Sequence, residues 1–142
     1  MLYGTLLHPE ILGVLGTAGH GSRVLIADGN YPFVTGTSPN ADIVYLNLAP
    51  GMLNATDVLK VLVTAIPIEI ADVMEPNTPP EPPIVQEFRN ILPSGIAIRK
   101  LERFAFYEAA RSADTALVIA TGEQRIYANI LLTIGVVPPP EA

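Results

Sequence analysis

Apolar residues recur along this 142-residue chain with two different periods, and their alternation restricts the possible folds more than any other feature. Segments that are mostly apolar, as buried strands are, span residues 24–27, 42–48, 68–74, 96–101, 116–120 and 127–132. Apolar stripes at helical spacing predict helices over residues 9–18, 55–66, 84–92 and 103–112. Strands that alternate with helices favour an α/β fold with a largely parallel sheet flanked by helices.

Several predicted helices begin or end at residues that suit those positions. Pro9 suits the first turn of a helix, and Gly19 is predicted to end this helix in a left-handed conformation. Asn54 is a favourable N-cap for the second helix, and Pro67 ends it. Residues 75–83 contain five prolines and are predicted to form a stiff loop.

The composition predicts a single domain that associates with copies of itself. A chain of 142 residues is near the usual domain size, so we expect residues 1–142 to form one domain. Hydrophobic residues make up 49% of the chain and charged residues only 15%, against about 25% charged in an average soluble domain. Because so little charge is available to cover a monomer, we expect apolar surface to be buried in a homo-oligomer.

The composition also argues against several classes of protein. A net charge of -6 and only eight Lys and Arg residues disfavour nucleic acid as a partner. Cysteine is absent, and the two histidines, His8 and His20, have no acidic residues at metal-ligand spacing, so we expect no metal and no cofactor. No apolar run reaches about 18 residues, so we expect no membrane span. No basic residue precedes Arg23, so we expect no secretory signal and a cytoplasmic location.

Two residues near the start of the chain are candidates for proton transfer and ligand binding. His20 lies between two glycines at a predicted helix-to-strand turn, and an exposed imidazole exchanges protons near neutral pH. Asp28 follows the strand predicted over 24–27, and carboxylates at the carboxyl ends of parallel strands often face a ligand. Each has a simpler interpretation, an exposed turn histidine and an aspartate that stabilises its own turn. A five-residue strand spans roughly 15 Å, so the two share a pocket only if both turns fold inward.

A second group of candidates lies in the last third of the chain. Arg103 begins the segment RFAFYE, where a guanidinium beside aromatic rings usually has an acceptor to meet. The same segment has a simpler interpretation as the buried start of a helix. Within the strand predicted over 127–132, Tyr127 and Asn129 alternate onto one face, opposite Ala128. Two polar residues on one face of an apolar strand suggest a lined pocket.

Three segments, in the order HPEILGVLGTAGHG, PPIVQEFRNIL and YANILLTIGV, resemble the D-ribose pyranase / L-fucose mutarotase family along nearly the whole chain. The segment RFAFYE is similar to the L-fucose mutarotase branch. The resemblance implies a ribose pyranase-like fold. It also implies an isomerase that interconverts anomers or ring forms of a free monosaccharide, an L-fucose-like sugar, without a cofactor. The implied chemistry is general acid–base opening and closing of the sugar ring.

The same resemblance assigns roles to individual residues. It implies that His20 is the catalytic acid and that Asp28 is a sugar-binding carboxylate. It also implies that the chains form ring-like homo-oligomers, up to decamers, and that the site lies between subunits. In that arrangement His20 and Asp28 of one chain face the C-terminal residues of the next. The remaining sugar-binding positions that it implies are Arg103, Tyr127, Ala128 and Asn129.

Three positions depart from the family's pattern. Ser22 stands where an acidic residue is usual, Asn30 where the fucose branch often has His, and Ala128 where it often has Gly. These departures leave His20 as the expected acid but put the identity of the sugar in question. They keep two alternatives open, a D-ribose pyranase and a non-catalytic sugar-binding or regulatory protein. A purely structural subunit would explain the apolar composition but not the polar residues at the turns.

Overall fold

Strands and helices alternate throughout the computed structural model, which describes residues 1–141. The helices are α1 (Pro9–Thr17), α2 (Ala55–Leu62), α3 (Pro83–Ile91) and α4 (Arg103–Ala110). The strands are β1 (Arg23–Ala27), β2 (Asp42–Tyr45), β3 (Ile68–Glu75), β4 (Ala97–Glu102), β5 (Thr115–Ala120) and β6 (Ile130–Ile134). The α/β alternation predicted from the apolar pattern is confirmed.

The strands form one six-stranded sheet in the order β2-β5-β1-β6-β3-β4. β1 and β2 both run parallel to β5, and β3 runs parallel to β4. β6 runs antiparallel to its neighbours β1 and β3. The prediction of a largely parallel sheet is therefore confirmed, with β6 as the exception. Residues 121–129, which separate β5 from β6, are too few for a parallel return, because that needs a crossover of about a dozen residues or more.

Helices cover the two faces of the sheet unequally. α1, α2 and α3 contribute to one apolar cluster with strand residues such as Ile26 and Leu132. α4 alone packs on the other face, where Phe106 shares a second cluster with Leu25 and Leu131. Because β1 and β6 are covered on both faces, they occur in the sequence as continuous apolar runs. No helix within residues 1–141 has the length and apolar character needed to cross a membrane.

The predicted end of the first helix is wrong in its detail. α1 ends at Thr17, followed by Ala18 in an extended conformation. The left-handed residue is Gly21, with a φ of 86°, rather than Gly19. Gly21 donates its N–H to the Ile134 carbonyl at 2.9 Å, so the chain turns at this residue to meet β6.

The last strand begins later than predicted, at Ile130 rather than at residue 127. Tyr127 has a left-handed backbone, with a φ of 60°, which a strand does not contain. Tyr127 and Asn129 therefore do not alternate along a strand. They belong to the segment that leads into β6, and this segment brings them to the candidate site.

Candidate functional site

A cavity of about 270 Å³ lies where β1 ends and β6 begins. Because β6 is antiparallel to β1, with Ile26 paired to Ile130, the residues that follow β1 meet those that precede β6. The carboxyl end of β3 and the start of α4 complete the wall. The residues that line this site cavity are Asp28, Asn30, Tyr31, Met74, Arg103, Tyr107, Ile126, Tyr127 and Asn129.

The site cavity brings together four of the residues predicted from the sequence, Asp28, Arg103, Tyr127 and Asn129. Ala128 does not line it, because its side chain is buried in the cluster on the opposite face of the sheet. The backbone of Ala128 faces the Asp28 carboxyl instead and helps to lower its pKa. The prediction that Asp28 faces Tyr127 and Asn129 of another chain is wrong, since antiparallel β6 joins all three within one chain.

Asp28 and Asn129 hold each other through two hydrogen bonds. The backbone N–H of Asp28 donates to Asn129 Oδ1 at 2.7 Å, and Asn129 Nδ2 donates to Asp28 Oδ2 at 3.1 Å. The backbone N–H of Asn30 donates to Asp28 Oδ1 at 3.0 Å. Asp28 and Asn129 are each only 4% exposed. These bonds fix the orientation of a buried acceptor in the cavity wall.

The environment of the Asp28 carboxyl also changes its acidity. Burial raises the pKa of this carboxyl above its usual value of 3.8, because the charged form loses hydration. Hydrogen bonds from Asn30, Ala128 and Asn129 lower the pKa again, but only in part. The carboxyl can accept hydrogen bonds from the hydroxyl groups of a ligand, and it takes up a proton more readily than an exposed aspartate does.

α4 supplies a cation and an aromatic ring to another part of the wall. Glu102 caps this helix by accepting the Ala105 N–H at 3.3 Å. Arg103 and Tyr107 lie on one side of the helix, with the guanidinium carbon 5.7 Å from the centre of the Tyr107 ring. The Tyr31 ring meets Tyr107 edge-on, with the ring centres 5.4 Å apart. This wall offers N–H donors and flat aromatic surfaces, which suit a ligand with hydroxyl groups and C–H faces.

Tyr127 reaches the cavity through an uncommon backbone conformation. A left-handed φ is rare for a bulky residue and costs about 1–3 kcal/mol. The preceding turn is held by Arg125, whose Nε and backbone N–H donate to Glu123 Oε1 at 2.9 and 3.0 Å. Such strain persists in folded proteins mostly at functional sites, and here it places an aromatic ring in the cavity wall.

His20, the predicted acid, lies at the other end of β1 from this cavity. It precedes the strand while Asp28 follows it, and the five strand residues span roughly 16 Å. Its Nε2 lies 3.3 and 3.4 Å from the two carboxylate oxygens of Glu69 near the start of β3. The side chains of His20 and Glu69 are 57% and 48% exposed. No further His, Asp or Glu of residues 1–141 joins this pair in a group that could hold a metal ion.

Sequence reasoning missed three contributions to these sites. Glu69 was not predicted, although a carboxylate inside an apolar strand usually has a cation or solvent to face. Met74 was not predicted as a lining residue, although its place near the carboxyl end of a parallel strand is the criterion that selected Asp28. Ile126 could not be predicted in this way, because a turn brings it to the cavity and no regular spacing of residues marks that turn.

Comparison with known proteins identifies relatives along nearly the whole chain. The model of the RbsD / FucU transport protein family matches residues 1–137. The chain is also 30% identical over 149 residues to a fucose mutarotase of Danio rerio. This match covers 96% of the chain and 94% of that protein.

Two solved structures share the fold. The fucose mutarotase of Streptococcus pneumoniae, in complex with L-fucose, matches with a TM-score of 0.82 and 26% identity, over 97% of this chain and 100% of that one. RbsD of Bacillus subtilis, complexed with D-ribose, matches with a TM-score of 0.81 and 25% identity, over 96% and 98% of the two chains. Both structures contain a monosaccharide.

Proposed function

Because the chain belongs to the RbsD / FucU transport protein family, we propose that it is a sugar mutarotase, an isomerase that interconverts the anomers of a free monosaccharide. The observation that carries this proposal is the site cavity, in which a preformed carboxylate–amide pair lies among an arginine and three tyrosines. These groups suit a small ligand rich in hydroxyl groups. The relative from Danio rerio has this activity in its name, and two structural neighbours hold a sugar.

An L-fucose-like pyranose is the favoured substrate. Arg103 lies in the segment RFAFYE, which is similar to the fucose branch, and the Streptococcus pneumoniae structure contains L-fucose. Met74 and Ile126 add apolar surface to the cavity, which suits a C–H face or a methyl group. D-Ribose is the alternative, since RbsD of Bacillus subtilis is complexed with it.

The reaction needs one proton donor and one proton acceptor at the reducing end of the sugar. The acid protonates the ring oxygen while a base removes the proton of the anomeric hydroxyl, so the ring C–O bond breaks and a carbonyl forms. Closure on the other face of this carbonyl returns both protons and gives the second anomer. His20 is the acid in this proposal, with Glu69 orienting its imidazole. Asp28 and Asn129 hold hydroxyl groups, and the Asp28 carboxylate takes the proton of the anomeric hydroxyl. Such general acid–base catalysis supplies about 10²–10⁴-fold.

The acid reaches the sugar from a neighbouring subunit in this proposal. β1 separates His20 from the site cavity of its own chain, so a second copy has to bring its His20 to that cavity. Ile126 on the cavity wall and Phe104 next to Arg103 are each 67% exposed, and a second copy would remove these apolar side chains from water. The proposal therefore includes a homo-oligomer, and the family resemblance suggests a size of up to a decamer. It also includes the cytoplasmic location that we expect from the sequence.

A non-catalytic sugar-binding protein is the second candidate function. Within one chain the cavity holds the binding groups, Asp28 and Asn129 among them, without His20. Ser22 also stands where an acidic residue is usual in the family. A chain that did not assemble would bind a sugar without converting it.

Magnetisation-exchange NMR on a panel of reducing sugars tests the enzymatic proposal. We expect the protein to accelerate exchange between the anomeric signals of L-fucose. His20→Ala should lower this acceleration by at least about 100-fold, because the ring oxygen loses its proton donor. Sugar binding, measured by saturation transfer, should persist in this variant because the residues that line the site cavity are unchanged.

His8→Ala is the matched control, since His8 is the other histidine of the chain and caps α1 by accepting the Ile11 N–H. Its exchange rate should equal that of the wild type. No acceleration on any common aldose, with binding retained, would refute the enzyme and favour the sugar-binding protein. Acceleration confined to the pyranose and furanose signals of ribose would indicate a pyranase instead.

A further inference from the structure

A second cavity, of about 440 Å³, lies beside the site cavity. Its wall is made by three loops, residues 29–30, 47–50 and 121–124, which follow β1, β2 and β5. These strands are neighbours in the sheet and run in one direction, so their carboxyl ends meet at one edge. Ligands of α/β proteins bind in crevices at this edge of the sheet.

The second cavity offers hydrogen-bonding groups on a largely uncharged wall. Asn30, Asn47 and Gln124 line it, and none of their side-chain amides is hydrogen-bonded to another residue among 1–141. Leu48 and Pro50 add apolar surface. No Lys or Arg from the described part of the chain lines the cavity, so no cation is present to bind a phosphate. Free amides beside apolar patches suit a neutral ligand that carries hydroxyl groups.

Glu123 also lines the second cavity, but its charge is already paired. Arg125 Nη2 donates to its Oε2 at 2.9 Å, and the Ala55 N–H donates to the same oxygen at 3.2 Å. Burial opposes the ionisation of this carboxyl, but the hydrogen bonds and the charge of Arg125 outweigh it and hold its pKa below the usual value. The cavity therefore presents no free carboxylate to a cationic ligand.

The loops around the second cavity are tied to one another through their backbones. The Gly29 N–H donates to the Glu123 carbonyl at 2.8 Å. The Gly51 N–H donates to the Gly122 carbonyl at 2.7 Å, and the Gly122 N–H donates to the Leu53 carbonyl at 3.1 Å. Because backbone hydrogen bonds join the loops, the fold itself holds the shape of the cavity, and binding orders little further chain.

Asn30 joins the two cavities, since it lines both of them. Its backbone N–H donates to Asp28 at 3.0 Å, so a sugar hydroxyl held by Asp28 lies next to this junction. We propose that the sugar site extends past Asn30 and that the second cavity binds a neutral sugar unit attached to the substrate. The protein then acts on the reducing end of disaccharides as well as on a free monosaccharide. This inference rests on the proposed mutarotase function.

Anomer exchange on reducing disaccharides tests the inference. The probes carry the accepted monosaccharide at the reducing end, with a neutral hexose linked in turn to each of its non-anomeric hydroxyl groups. We expect at least one probe to exchange within about 10-fold of the rate of the free monosaccharide. Gln124→Leu and Asn47→Leu replace amides by apolar groups of similar size. Each should lower the ratio of the disaccharide rate to the monosaccharide rate by at least about 10-fold.

Gln86→Leu is the matched control, because Gln86 is an exposed glutamine of α3. The ratio of the disaccharide rate to the monosaccharide rate in this variant should equal that of the wild type. A ratio measured within one preparation is independent of how much protein is folded. Monosaccharide exchange without disaccharide exchange would overturn the inference and leave the proposed function intact. Disaccharide exchange with an unchanged ratio in both leucine variants would overturn the assignment to the second cavity. No exchange on any sugar would overturn the proposed function, and this inference with it.

Discussion

Asp28 is buried, and yet its carboxyl is the acceptor around which the site cavity is organised. Transfer out of water disfavours the charged form of a carboxyl, and the donors that face it offset this loss only in part. The native state therefore holds a proton on Asp28 more tightly than the unfolded chain does. A group placed for ligand binding here lowers the stability of the fold at the pH where it ionises.

We expect Asp28 to make the protein less stable as the pH rises above about 4. The unfolded chain loses the Asp28 proton near 3.8, whereas the raised pKa of the native state keeps it to higher pH. Between these two values the native state binds more protons, so the free energy of unfolding falls by up to about 1.4 kcal/mol per pH unit. Urea unfolding of the wild type and of Asp28→Asn, across about pH 3–7, measures this contribution as a difference.

Asp42→Asn provides the control for this measurement, since Asp42 is an exposed aspartate at the start of β2. The difference between wild type and Asp42→Asn should vary less with pH than the difference for Asp28→Asn. Equal variation for the two variants would contradict the effect that we attribute to burial of Asp28.

At the scale of elements, the loops that follow β2 and β5 fit together so closely that one position requires glycine. A Cβ on Gly122 would lie 2.5 Å from the carbonyl oxygens of both Ala49 and Met52. Both contacts are with backbone, which cannot move aside as the end of a flexible side chain can. The packing of these loops therefore depends on the absence of a side chain at Gly122.

We expect Gly122→Ala to lower the free energy of unfolding by about 3 kcal/mol, because the new methyl group forces the two loops apart. Gly13→Ala is the matched control, since Gly13 lies in α1 and a Cβ there meets nothing within 4 Å. This control should stabilise the protein by about 0.5–1 kcal/mol, because alanine favours the helix. Urea denaturation followed by circular dichroism measures both changes. Similar shifts for the two variants would contradict the close packing at Gly122.

Helices and strands whose apolar residues repeat at a regular spacing could be predicted from the sequence. The start of a strand that follows an irregular turn could not. α2 was predicted from its apolar stripe, and it begins at the predicted position because Asn54 and Asp57 form its cap. The predicted start of β6 is too early, because Tyr127 and Asn129 are two residues apart and so imitate the alternation of a strand. The turn before Ile130 has no regular spacing of apolar residues that would mark where it ends. The direction of β6 follows from the short connection before it, and this signal was available in the sequence, because the strands predicted over 116–120 and 127–132 leave only six residues between them.

At the scale of the whole molecule, β1 separates two groups of candidate site residues. Asp28 and Asn129 lie at one end of β1, and His20 with Glu69 lies at the other. The sequence could indicate His20 and Asp28 as separate candidates, because each occupies a turn beside an apolar strand. The five extended residues of β1 keep these two residues apart, and the partners of each follow from the order of the strands in the sheet. In the proposed function, a second copy joins these two groups as the halves of one site.

Mixing two inactive variants tests whether subunits share the site. His20→Ala lacks the acid, and Asn129→Ala lacks part of the cavity, so a hybrid assembly places intact halves of both kinds together. After subunit exchange of equal amounts, we expect exchange activity to return to about one quarter of the wild-type value, as random neighbours allow. Solution mass, from sedimentation, should exceed that of a dimer.

The control mixture combines Asn129→Ala with Asp28→Ala, which both damage the cavity half. No hybrid site of this mixture is intact, so no activity should return. A monomeric mass would contradict the assembly. Verified subunit exchange without rescue in the first mixture would confine the site to one chain.

The position of β1 between His20 and Asp28 has a further consequence for an enzyme built in this way. Each copy carries one site cavity and one His20, so in the proposed assembly a closed ring contains as many complete sites as copies, whereas an open one leaves an unmatched half at each end. In the proposed function, a lone copy would bind sugar through its site cavity but would have no turnover. The turnover rate per chain then depends on the concentration of the enzyme itself. Dilution below the dissociation constant of the assembly abolishes turnover, while the number of sugar-binding cavities stays the same. Because five strand residues separate His20 from the cavity of its own chain, the activity of this protein would measure how much of it is assembled.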